Sequence, residues 1–165
     1  VDTSQVIETG ASFTLDDCLV GKYNFIEDIL HTFLQGTENK VLKNQLLKTY
    51  SDLPYHFETI SGEIFYKENQ LLLNNIQMIN LRAKKAPGMD VVVNGRIDFN
   101  ESSLDIQGNV TVSAGLTRKI LMANPEAGRY LQGERLFFGF RHLGSFDNFR
   151  LIILPEPVCF STNPA

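Results

Sequence analysis

A chain of 165 residues with 43% hydrophobic and 21% charged side chains has the composition of one folded domain, and is too apolar for a disordered segment. Its formal net charge of −4 argues against nucleic acid as the main partner, because neutralising phosphates takes clustered Lys and Arg. No apolar run approaches the roughly 20 residues that span a bilayer, so any membrane anchor is expected outside the chain, which opens Val-Asp-Thr-Ser without Met.

In chain order, Val6, Ile7, Phe13 and Leu15 around Gly10 read as one or two short strands. Asn24 reads as a helix cap, with Glu27 three residues on as a partial capping box. Phe25, Ile26, Ile29, Leu30, Phe33 and Leu34 then recur at helical spacing, predicting a helix over 24–35. Val41, Leu42, Leu46 and Tyr50 predict a second over 39–50, closed by Leu53-Pro54.

From Phe57 to Ser113 the period changes to two. Ile60-Gly62-Ile64-Tyr66, a polar turn over Lys67 to Gln70, and Leu71 to Leu81 predict one hairpin. The basic cluster Arg82-Lys84-Lys85 beside Pro87-Gly88 reads as a loop. In the next hairpin Val91, Val93, Gly95, Ile97 and Phe99 share one parity, with polar residues mostly on the other. Leu104, Ile106, Gly108, Val110 and Val112 do the same after the turn Asn100 to Ser103. That turn predicts Phe99 opposite Leu104, Ile97 opposite Ile106, Gly95 opposite Gly108 and Val93 opposite Val110. The two facing glycines would leave a band without side chains, where a chain-like ligand could approach.

Leu116 to Leu131 returns to helical period, with a restart at Asn124-Pro125-Glu126 and a stop at Gly133. Leu136 to Phe140 and Phe146 to Leu154, about Leu143-Gly144-Ser145, predict a last pair of strands. The expected fold is therefore α+β, a curved antiparallel sheet of about seven to nine strands with two or three amphipathic helices. Residues 1–154 form a single domain in this reading, and 155–165 a Pro-containing tail.

Chemistry-bearing motifs are sparse. His31, His56 and His142 lack metal-ligand spacing, and neither a nucleophile elbow nor a phosphate loop is present. No catalysis, metal or cofactor is expected. Asn100-Glu101-Ser102 and Asn109-Val110-Thr111 match the glycosylation pattern by letter alone. Cys18 and Cys159 read either as buried free thiols or as a disulfide. The informative feature is apolar surface on a one-sided sheet. Ile76, Met78, Val91, Val93, Ile97, Phe99, Ile106, Val110 and Val112 are either core beneath the helices or the wall of a groove for acyl chains.

The order of features adds to this. Phe57-x-x-Ile60-x-Gly62-x-Ile64 is followed by Leu72-x-Asn74-x-Ile76-x-Met78. Val93-x-Gly95-x-Ile97-Asp98-Phe99 with Leu104-Asp105 comes next, and Gly144-Ser145-Phe146-Asp147-Asn148-Phe149 closes the series. Over roughly residues 10 to 154 this resembles the C-terminal region of the AsmA-like proteins of Gram-negative envelopes, with Phe149 standing where that family often has Pro. The resemblance implies a periplasmic β-rich segment of a protein tethered to the inner membrane by a segment outside this chain. It implies an apolar β-groove, phospholipid or another acyl-chain lipid as partner, and a role in phospholipid transport or outer-membrane maintenance. The alternatives are a structural or protein-interaction domain with a closed core, and an unrecognised hydrolase.

Overall fold

A computed structural model describes residues 9–20, 25–51, 55–80 and 88–160. Asn24, the expected cap of the first helix, and the basic cluster at 82–85 lie outside the described residues. The chain runs β1 (Thr9–Val20), α1 (Phe25–Phe33), α2 (Lys40–Ser51), β2 (Tyr55–Lys67), β3 (Gln70–Ile79), β4 (Met89–Asp98) and β5 (Ser103–Val112). It continues through α3 (Ala114–Ala123), a 3-10 helix (Pro125–Tyr130), β6 (Leu131–Gln132), β7 (Arg135–Ser145) and β8 (Asn148–Ile153). The strands form one open, curved, eight-stranded antiparallel sheet in the order β1-β2-β3-β4-β5-β7, with β6 and β8 both paired to β7. The α+β fold expected from the change of period is the fold observed.

Local chemistry sets the boundaries. Asn39 Oδ1 accepts from the Leu42 amide and caps α2. Ser113, whose side chain accepts from Leu116 N, caps α3, and Asn124 accepts from Glu126 N where the helix stops before Pro125. β2 and β3 turn through Glu68 and Asn69, both at positive φ (50° and 62°), the conformation of a two-residue hairpin loop. The short strands expected near Gly10 are a single 12-residue edge strand. The last pair also differs from expectation. β7 runs on to Ser145 and the turn falls at Phe146-Asp147, because the Arg141–Leu143 stretch keeps pairing with Asp105, Ile106 and Gln107.

Opposed residues on neighbouring strands share a face, so the sheet is built in rows. Two central rows are Ile60–Met78–Val91–Val110–Phe138 and Ile76–Val93–Gly108–Phe140. Most of their side chains are buried, together with Met89, Val112 and Leu136, under Ile29, Leu30, Phe33, Leu116 and Ile120 of α1 and α3. Phe33, Tyr130 and Phe138 meet edge to face at centroid distances of 4.8–5.9 Å and lock α1, the 3-10 helix and β7 together.

The β4–β5 register departs from the sequence reading. Ile97 lies opposite Leu104, Gly95 opposite Ile106, Val93 opposite Gly108 and Val91 opposite Val110, a slip of two residues that keeps every side chain on its expected face. Asp98 causes it. Its Oδ1 accepts from the amides of Asn100 (2.9 Å) and Glu101 (3.0 Å), so the chain leaves the ladder one residue earlier, into the loop Phe99 to Ser102. The glycines consequently do not face each other, and no empty band exists. A Cβ on Gly108 would lie 2.2 Å from Val92 O and 2.7 Å from the Phe140 ring, and one on Gly95 2.7 Å from Ile106 Cα. Those neighbours fill the space the glycines leave.

On the polar face an Arg141–Asp105 pair bridges β7 and β5 through two bonds of 2.9 and 2.7 Å. The same face carries the C-terminal segment. Asn109 receives the Val158 amide at 2.7 Å and donates to its carbonyl at 2.8 Å, and Gly139 leaves room for the Glu156–Val158 backbone. Residues 155–160 are thus strapped to the sheet rather than hanging from it. The strap also decides the cysteines. Cys18 on β1 lies four strand spacings from β5, about 19 Å, and Cys159 follows Val158 above β5; both thiols are free. The disulfide reading does not hold, and the thiols are not buried either: Cys18 is half-buried and Cys159 exposed.

Candidate functional site

Strand and helix lengths determine what the helices leave open. Ten-residue strands such as β4 and β5 are about 34 Å long, whereas ten residues of helix cover about 15 Å. The helices pack on the core that holds Met89, Val112, Leu136 and Phe138, and α1 also meets β8. From there two rows continue the apolar face. One is Ile64–Leu73–Gly95–Ile106–His142–Leu151 and the other Tyr66–Leu71–Ile97–Leu104. In the first row Ile64, Leu73 and Ile106 are half-buried against the edge of the core. In the second, Leu71, Ile97 and Leu104 are half-buried without belonging to that packing, and Tyr66 is exposed.

This separates the residues singled out from the sequence. Ile76, Val91, Val93, Val110 and Val112 are sealed, from 0 to 8% exposed, and Met78 packs beside them. They are core and wall no open groove. Ile97 stands outside that packing, and Ile106 packs at its edge. Phe99 has left the strand for the turn, where it is 46% exposed. Leu71, Leu73 and Leu104 complete the surface.

The rim of the open end is a polar lattice. Phe99 N donates to Asn69 O and Phe146 N to Ser102 O, binding three neighbouring hairpin turns side by side. Tyr66 Oη donates to Asn69 Oδ1 at 2.9 Å, Asn69 Nδ2 to Asn100 Oδ1 at 2.7 Å, and Gln70 Nε2 to Asp98 Oδ2 at 2.7 Å. The Glu101 amide, helped by Gln70 and Asn100, holds the Asp98 carboxyl below the usual carboxylate range, so the rim keeps a fixed negative charge. Phe99 and Phe146 meet edge to face across adjacent turns, 6.2 Å between centroids.

The histidines are dispersed. His31 lies beside Glu27 on α1, and His56 contacts Asp17 at the β1–β2 edge. His142 is buried in the first open row, where desolvation lowers its pKa against the opposing pull of Asp28. Among the described residues, no three His, Cys, Asp or Glu side chains are placed to hold a metal ion, and no helix is long and apolar enough to cross a membrane. Asn100 sits in an exposed turn, whereas the Asn109 amide is committed to Val158. Comparison with known proteins finds no matching family model, no matching curated protein and no matching solved structure.

Proposed function

We propose that the domain handles acyl-chain lipid without catalysing a reaction, and that the open end of its sheet is the surface that meets the chains. One observation carries the reading: the apolar face runs on in two rows, Leu73 and Ile106 packed at the edge of the core and Leu71, Ile97 and Leu104 outside that packing. From β2 to β5 these rows give about 14 Å of apolar width. Hydrocarbon laid there gains about 25 cal/mol for each Å2 removed from water. The AsmA-like resemblance of the motifs supports phospholipid as the cargo. It also supports a periplasmic setting in which the parent protein is tethered to the inner membrane and serves phospholipid transport or outer-membrane maintenance.

The sealed half of the face favours a second reading, a structural or protein-interaction domain, because six of the nine candidate residues, Met78 included, belong to the core. Native mass spectrometry and solvent extraction of the purified chain distinguish the two. Lipid handling predicts co-purifying acyl-chain lipid that Ile97→Asp abolishes while circular dichroism stays native. Lipid-free wild-type protein favours the structural reading, and a folded, lipid-bearing Ile97→Asp variant refutes the proposed surface.

A further inference from the structure

The helix pair α2 and α3 concentrates positive charge. Together the two carry Lys40, Lys43, Lys48, Arg118 and Lys119 and no acidic residue, in a chain whose net charge is −4. The nearest acids in sequence, Glu38, Asp52 and Glu126, lie outside both helices. All but Lys43 of these cations are exposed. Between the helices runs an open groove of about 820 Å3, floored by Leu42 and Leu46 and flanked by Lys48, Lys119 and Met122. Val41 shares the helix face of Gln45 and Lys48 at i+4 and i+7. Met122 and Val41 are, at 72% and 69%, the most exposed large apolar side chains among the described residues.

We propose that this α2–α3 surface docks on a bilayer containing anionic phospholipid. The match is one of charge and of shape. Lysines at the groove edge sit at the level of lipid phosphates, while Val41 and Met122 reach the boundary between headgroups and acyl chains. A nucleic acid would satisfy the charge but not the apolar tips, and the groove lining has no aromatic side chain to stack on a base. The site shares no residue with the open end of the sheet, so either proposal can fail alone.

The test is flotation of the full chain with vesicles. Phosphatidylcholine alone is compared with phosphatidylcholine containing about one-third phosphatidylglycerol, at about 0.05 M and about 0.5 M salt. Binding is expected only to the anionic vesicles and only at low salt. The Lys48→Gln/Lys119→Gln double variant is expected to bind about 30-fold more weakly. Met122→Ser should weaken binding roughly tenfold with the charge unchanged. These side chains are exposed, so circular dichroism should stay native for both variants. Equal binding to uncharged vesicles, undiminished binding by the double variant, or retention of a DNA duplex in place of vesicles would overturn the proposal.

Discussion

His142 lies on the apolar face of β7, opposite Ile106 and Leu151, and only 7% of it reaches solvent. Burial disfavours the imidazolium and lowers its pKa, while the unfolded chain titrates near the ordinary value of about 6.5. Below that value the unfolded state binds more protons than the folded one. Stability is therefore complete above about pH 6.5 and is lost as pH falls toward the folded pKa, by at most about 1.4 kcal/mol per pH unit. Thermal melts between about pH 7 and 5 should show this slope, and His142→Leu should flatten it. Carboxylates such as Asp98 and Asp105, held low by their hydrogen bonds, protonate further down and do not blur that window. Gly108 poses a steric question at the same scale. Any Cβ there meets Val92 O and the Phe140 ring, so Gly108→Ala should cost about 1–3 kcal/mol in urea unfolding. A neutral outcome would mean that β4 and β5 are further apart than described.

At the scale of elements, the C-terminal strap makes the clearest prediction. Its hold on β5 passes through the two bonds of Asn109, each worth about 0.5–1.5 kcal/mol. Asn109→Ala should free residues 155–160 to fast proteolysis and hydrogen exchange while the ladder β2 to β5 keeps its protection. Nothing in a run with Pro155 and Pro157 announces such a strap, since it depends on Asn109 and Gly139 meeting across strands far apart in sequence. Periodicity did reveal the elements themselves: helices near 24–35 and 39–50, hairpins across 57–113, and the break at Asn124-Pro125. Where it failed, a side chain had redirected the backbone. Asp98 moved the β4–β5 turn. Asn75, at φ 49° and hydrogen-bonded from its amide to Asn94 Oδ1, inserts one extra residue into β3. Counting by twos back from Ile76 selects Asn74 and Leu72, but the bulge turns Leu73 and Leu71 inward and leaves Leu72 exposed. Two residues of the open surface were invisible for that reason alone.

For the whole molecule, alternation in the sequence identifies which side chains share a face, but not which of them the helices reach. Val110 and Leu104 have the same parity, the same strand and similar apolar character, yet Val110 is fully sealed and Leu104 half-buried. That difference comes from the length of strand beyond the end of the helical layer, a property of the assembled fold. It also yields the most direct test of the architecture. Val110→Asp would place a carboxylate between Val91 and Phe138 beneath α1 and α3, with no cation described there. Desolvation of that charge should cost at least about 4 kcal/mol, a large share of the 5–15 kcal/mol or so that holds a domain together. Leu104→Asp puts the same group where its oxygens can turn to water, beside Ile97 and Gly144. There the loss is limited to part of one leucine's burial, about 1 kcal/mol. Paired urea titrations should find Val110→Asp unfolded or nearly so and Leu104→Asp close to wild type. Equal losses would mean that the apolar face is covered along its whole length, and the open end would then be no surface for a lipid chain.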